Sequence, residues 1–211
     1  MQKSSKENIL KRLNTASLKT PIPYPEIVDE KDIFSPAPED LLKLFKEQFT
    51  ALGGKYYFCN SKEELIQAIL PHCENIAKDA MYCADENLIH LLRNAGLSSG
   101  LNESLDIVAE GSLCISSCIG LLARTGSILF SSAQTEGRSH AIAPDTQIVI
   151  AYKRQLHYNI NELVEAYLST CSSLPSMVSL TSGASRTADI EKTLVMGAHG
   201  PKELIVVMLD A

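Results

Sequence analysis

The apolar positions fall into two alternating rhythms. From Glu39 onward, Leu41, Leu42, Phe45, Phe49 and Leu52 keep helical spacing until Gly53-Gly54 ends it. The run KYYFC reads as a strand, after which Ser61 and Glu64 form a capping box that opens a helix burying Leu65, Ile66, Ile69 and Leu70. AMYCA predicts a short strand, residues 88–93 a helix and residues 105–108 another strand. Apolar strands alternating with helices imply a mostly parallel sheet covered on both faces.

Between residues 113 and 150 the rhythm changes. CISSC, GLLA, SILF and QIVIAY are short strand candidates, and Arg124-Thr125-Gly126 between GLLA and SILF suits a hairpin turn, so part of the sheet is expected to be antiparallel or mixed. Ile160, Leu163, Val164, Tyr167, Leu168 and Cys171 give the cleanest amphipathic helix pattern in the chain. MVSLT and ELIVVMLD are the last two strands. The predicted fold class is therefore α/β: three layers, Rossmann-like, a mixed but mostly parallel sheet covered by helices.

Ahead of this domain, residues 4–14 begin with a capping box, Ser4 with Glu7, and place Ile9, Leu10 and Leu13 on one side of a short helix. Pro21, Pro23 and Pro25 then favour an extended chain. Residues 1–32 read as a helical and proline-rich arm on a domain spanning 33–211. Such an arm is either a disordered tail or a segment that packs on another subunit of a homo-oligomer.

A chain of 211 residues suffices for a substantial core. Its net charge of -6, without a basic cluster, argues against nucleic acid as a partner. The N-terminal MQKSSKENILKRLN lacks the apolar stretch of a secretory signal, and no apolar run is long enough for membrane insertion. These features predict a cytoplasmic protein. The six cysteines contain no CxxC pair, and the lone CxxxC of Cys114 and Cys118 is a poor metal ligand set, so neither a metal nor a cofactor is expected.

Candidate chemistry concentrates between Ser182 and Asp210. Ser182, Gly183, Ser185, Arg186, Thr187, Asp189, Glu191, His199 and Gly200 combine hydroxyls, flexible backbone, a guanidinium, carboxylates and an imidazole. Following the strand MVSLT, this loop sits where open α/β sheets bind ligands, at a carboxyl end. Its N–H groups and hydroxyls suit an anion, and Arg186 suits a bidentate contact to carboxylate or phosphate. The blander alternative is that Thr187, Asp189 and Glu191 cap a following short helix and Arg186 pairs with Asp189. Two further places are ligand-binding candidates: Thr125, Gly126 and Ser127 beside Arg124, and Arg138 in the stretch Gly137-Arg138-Ser139-His140. His199 is the weak catalytic candidate, because imidazole titrates near neutrality, although turn histidines commonly bond only their own loop.

SGASRTADIEK with GAHGPKEL resembles the C-terminal signature of LUD-domain proteins, the lactate-utilisation protein C family, and ARTGSILF with GRSHAIAPDTQIVIA resembles its central motifs. The resemblance implies a fold like that of phosphosugar isomerases and CoA transferases. It also implies an accessory, cofactor-free role in L-lactate oxidation, binding a small anionic ligand or iron-sulfur protein partners. Many members of that family carry a glutamate where this chain has Arg124 and a carboxylate where it has Ile119. An autonomous isomerase or transferase, or a purely structural interaction module, are the alternatives.

Overall fold

The computed structural model describes residues 5–17, 36–97, 101–102, 111–134, 143–187, 195–196 and 200–210. The chain divides into two compact units, Met1–Pro36 and Ala37–Ala211. The first contains helix α1 (Ser5–Ser17), whose Ile9, Leu10 and Leu13 are exposed. Ser4, the three prolines and the strand predicted at 105–108 lie outside the described residues.

The second unit begins with α2 (Leu41–Ala51), β1 (Lys55–Cys59), α3 (Lys62–Cys73), β2 (Met81–Tyr82), α4 (Glu86–Asn94) and β3 (Leu101–Asn102). It continues through β4 (Leu113–Ser117), β5 (Gly120–Leu122), β6 (Ser127–Ser131), β7 (Thr146–Tyr152), β8 (Leu156–His157) and α5 (Ile160–Thr170). Its last strands are β9 (Val178–Thr181), β10 (Arg186–Thr187), β11 (Val195–Met196) and β12 (Glu203–Leu209).

Helix starts follow local chemistry. The Asp40 carboxylate accepts from the Lys43 N–H at 2.9 Å to cap α2, and Ser61 Oγ accepts from the Glu64 N–H at 3.2 Å to cap α3. The return arm of the expected capping box lands one residue early: Glu64 accepts from the N–H of Asn60 at 2.8 Å. That bond ties the end of β1 to the first turn of α3.

Among the described residues, one sheet has the order β1-β12-β7-β4-β2-β3 with every pairing parallel. The last strand in the chain, β12, fills the slot between β1 and β7. The antiparallel pairs expected around Arg124 do form, but in a sheet of their own, β8-β5-β6-β9, rather than as part of the parallel one.

Side-chain alternation along β7 and β12 builds two cores at once. Ile148, Ile150, Ile205, Val207 and Leu209 face α3 and α4, joining Leu65, Ile69, Leu88, Ile89 and Leu92. Val149, Ala151, Leu204, Val206 and Met208 face the other way, joining Phe45 and Phe49 of α2 and Leu121, Ala123, Ile128 and Phe130 of the β5–β6 hairpin. Helices thus cover one face, while the other is shared between α2 and the second sheet.

The helix with the most regular apolar spacing, α5, buries only Leu163, in a small cluster with Leu122 and Leu129 on the outer side of the second sheet. The shorter α4 buries Leu88, Ile89 and Leu92. Pattern gives the face a helix turns inward, but the partner surface sets how much of that face is covered.

Candidate functional site

The β5–β6 hairpin turn and the segment after β9 meet through hydroxyls. Register pairs Ile128 with Thr181, which brings Ser127 and Ser182 side by side, and their Oγ atoms lie 2.6 Å apart. Ser127 is fully buried, and its Oγ is also 2.7 Å from Thr125 Oγ1. Thr125 and Ser182 are both exposed. A hydroxyl donates one proton and accepts through two lone pairs, so this three-member chain can reorient to present either a donor or an acceptor at its exposed ends.

Two glycines hold these loops against α2. Gly126 (φ 60°) would place a Cβ 2.5 Å from the Phe49 nitrogen, and Gly183 (φ 77°) would place one 2.7 Å from the Leu52 carbonyl oxygen. Both conformations favour glycine, and neither site has room for a side chain. The docking surface is the last turn of α2, whose carbonyls carry partial negative charge. The end of α2 therefore offers no attraction to an anion at these loops.

The same segment continues to the amino ends of the parallel strands. Ser185 N–H donates to the Pro201 carbonyl at 2.9 Å, just before β12, and Leu52 precedes β1. The sequence pattern puts this loop after MVSLT, at the carboxyl end of a strand, where open α/β sheets bind ligands. That placement is corrected: β9 is an edge strand of the second sheet, and its following loop lies beside the ends where β1 and β12 begin.

A charged rim lies along those ends. Asp145 accepts from the Gly111 N–H at 2.7 Å and pairs with the Lys202 ammonium at 3.1 Å. Burial alone would raise its pKa, but the Gly111 and Lys202 contacts outweigh burial and hold the carboxyl below the usual aspartate range. Lys55 pairs with Glu203 on the neighbouring strands.

Under this rim, the face of β4 and β7 turned toward α2 carries polar groups that the sequence reading passed over. Gln147 donates through Nε2 to Ser116 Oγ at 3.2 Å, with both residues fully buried. Gln147 Oε1 and the Oγ of fully buried Ser112 have no hydrogen-bond partner. The available signal was polar residues, Ser116 and Gln147, within otherwise largely apolar strand runs.

The remaining candidates divide cleanly. The backbones of Arg186 and Thr187 form β10, antiparallel to β11. Gly200 (φ 128°) would place a Cβ 3.2 Å from that of Ser185. Arg138, Ser139, His140, Asp189, Glu191 and His199 lie outside the described residues, as do residues 188–194 where the short helix is expected. Cys59, Cys73, Cys83, Cys114 and Cys118 are buried, and among the described residues no three His, Cys, Asp or Glu side chains gather as a metal site. No described helix is long and apolar enough to cross a membrane.

Residues 42–209 match the LUD domain. The chain is similar to lactate utilization protein C 1 of Bacillus mycoides, with 23% identity over 189 residues that cover 71% of this chain and 81% of that protein. It is also similar to the uncharacterized protein NMB1437 of Neisseria meningitidis, at 32% identity over 88 residues; the match covers 42% of this chain and only 38% of that protein. A crystal structure of a DUF162 family protein from Deinococcus radiodurans shares the fold, with a TM-score of 0.62 at 18% identity, covering 82% of this chain and 99% of that one.

Proposed function

The chain belongs to the LUD-domain family, and on that premise we propose that it is an accessory component of an L-lactate oxidation system in the cytoplasm, binding a small anionic ligand beside iron-sulfur protein partners. The observation that carries this reading is the match over residues 42–209, joined to the similarity with a lactate utilization protein C over most of both chains. Thr125 and Ser182 offer adaptable hydroxyls at the site, and Gly126 and Gly183 hold their loops on α2; the guanidinium in the sequence that follows, Arg186, is the proposed source of positive charge. Oxidising a hydroxyl to a carbonyl releases two electrons, which need a carrier. No cysteine-rich cluster motif occurs in this sequence, so that carrier is assigned to a partner.

The test mixes the purified chain with iron-sulfur proteins encoded in the same genome and follows L-lactate-dependent reduction of an artificial acceptor. The chain alone should give no turnover, and the mixture should assemble or gain activity. Arg186→Ala and His199→Ala should lose more of that gain than Arg124→Ala. Turnover of a phosphosugar or CoA thioester by the chain alone would favour an autonomous enzyme. Equal, negligible effects of all three variants would favour an interaction module.

A further inference from the structure

Two fully buried polar atoms without partners are Ser112 Oγ, just before β4, and Gln147 Oε1, in the adjacent parallel strand β7. Register sets Gln147 opposite Cys114, so Ser112 and Ser116 are its diagonal neighbours on the same face. Burying an amide oxygen and a hydroxyl unpaired is costly, and an internal patch of this kind calls for an occupant that completes its hydrogen bonds.

The patch lies next to the segment described above. Thr146 N–H donates to the Ser112 carbonyl, Lys202 and Glu203 N–H donate to the Asp145 carbonyl, and Ser185 N–H donates to the Pro201 carbonyl. Residues 112, 145–146, 185 and 200–203 therefore form one neighbourhood at the amino ends of the strands. The patch faces the side on which Gly183 meets α2.

Its chemistry selects a neutral group. Gln147 Oε1 only accepts, while Ser112 both donates and accepts, and Ser116, already accepting from Gln147, keeps its own proton to donate. The nearby charges, Asp145 and Lys202, are engaged with each other and with Gly111. A hydroxyl that donates to Gln147 and accepts from a serine satisfies the set.

We propose that Ser112, Ser116 and Gln147 form the floor of the ligand site and recognise the hydroxyl of a small hydroxy acid, leaving its carboxylate to the segment above. This rests on the small-anion reading of that segment and adds the groups that distinguish a hydroxy acid from its keto counterpart. A keto oxygen cannot donate to Gln147 Oε1, so it leaves that acceptor unpaired.

Calorimetric titration of L-lactate and pyruvate into the wild type, Ser112→Ala and Gln147→Leu tests it, with urea unfolding as the check on folding. The wild type should prefer lactate by about tenfold or more, since a site built to bond a hydroxyl rejects the analogue that lacks it. Gln147→Leu should erase the preference by weakening lactate alone, and Ser112→Ala should reduce it. Without ligand, Gln147→Leu should change the urea midpoint little, because it removes an unsatisfied acceptor together with the donor to Ser116. An unchanged preference in both variants, or a lactate-soaked crystal holding only water between Ser112 and Gln147, overturns the inference and leaves the small-anion reading standing. Binding of neither acid by the folded wild type overturns both.

Discussion

Strands β7 and β12 of the parallel sheet are buried along almost their whole length on both faces, whereas β9, at the edge of the second sheet, leaves Val178 and Leu180 40% exposed. The two regions also differ in what they carry. The inner parallel strands hold branched aliphatic side chains matched to two cores, while the second sheet and its turns hold the serine and threonine chain and the tightly seated glycines. Loops that present chemistry need a rigid support but cannot be part of it, since buried backbone and hydroxyls must all find partners. Ser112 and Gln147 depart from this division, with unpaired polar groups inside the scaffold sheet.

The sharpest way to break the contrast is Val206→Asp, which puts a carboxylate into the core between β12 and α2 with no partner. It should cost about 4 kcal/mol or more in urea unfolding, or prevent soluble expression. Gly183→Ala comes next, at about 2–3 kcal/mol, because the left-handed backbone and the 2.7 Å approach to the Leu52 oxygen both oppose a methyl group. Two-dimensional NMR should show that its shifts concentrate in the last turn of α2 and the β5–β6 turn. Shifts spread evenly over the parallel sheet would show that the loop is not seated on α2.

Ser127→Ala removes the centre of the hydroxyl chain while leaving Thr125 and Ser182 free to bond water. The expected loss is about 1 kcal/mol, together with weaker lactate binding measured by calorimetry. A smaller effect comes from Tyr56, whose pKa is pushed up to about 12, chiefly by burial, with its hydroxyl on the Met208 sulfur at 3.5 Å. The folded state holds this phenol neutral, so its contribution is complete below pH 10 and lost as pH rises toward 12. Urea midpoints between pH 9 and the highest pH at which the chain stays soluble should fall less steeply for Tyr56→Phe. Smallest of all, Leu180→Ser at the exposed edge should change stability by about 0.5 kcal/mol. A loss comparable to that of Val206→Asp would mean that β9 is covered in solution.

Much of the fold was legible because its causes are local. Helical spacing specifies α2, spacing with the Ser61 cap specifies α3, and the turn at Arg124-Thr125-Gly126 specifies the β5–β6 hairpin. Continuous apolar runs identify β7 and β12 as interior strands, since only a strand buried on both faces lacks polar alternation. The motifs at 123–130 and 182–204 likewise marked the hydroxyls that come together, although their spacing could not say that they touch.

Tertiary structure decided the rest, because each remaining feature depends on residues far apart in the chain. Whether the antiparallel strands extend the parallel sheet or form another depends on which edge they meet, and strand pattern is the same in either case. The modest burial of α5 was set by the small surface offered by Leu122 and Leu129. The seating of Gly126 and Gly183 on α2, at the amino ends of the strands, required contacts across more than seventy residues of chain for Gly126 and more than a hundred for Gly183. The unpaired state of Ser112 and Gln147 is likewise invisible along the chain, because satisfaction of a polar group is a property of the atoms packed around it rather than of its neighbours in sequence.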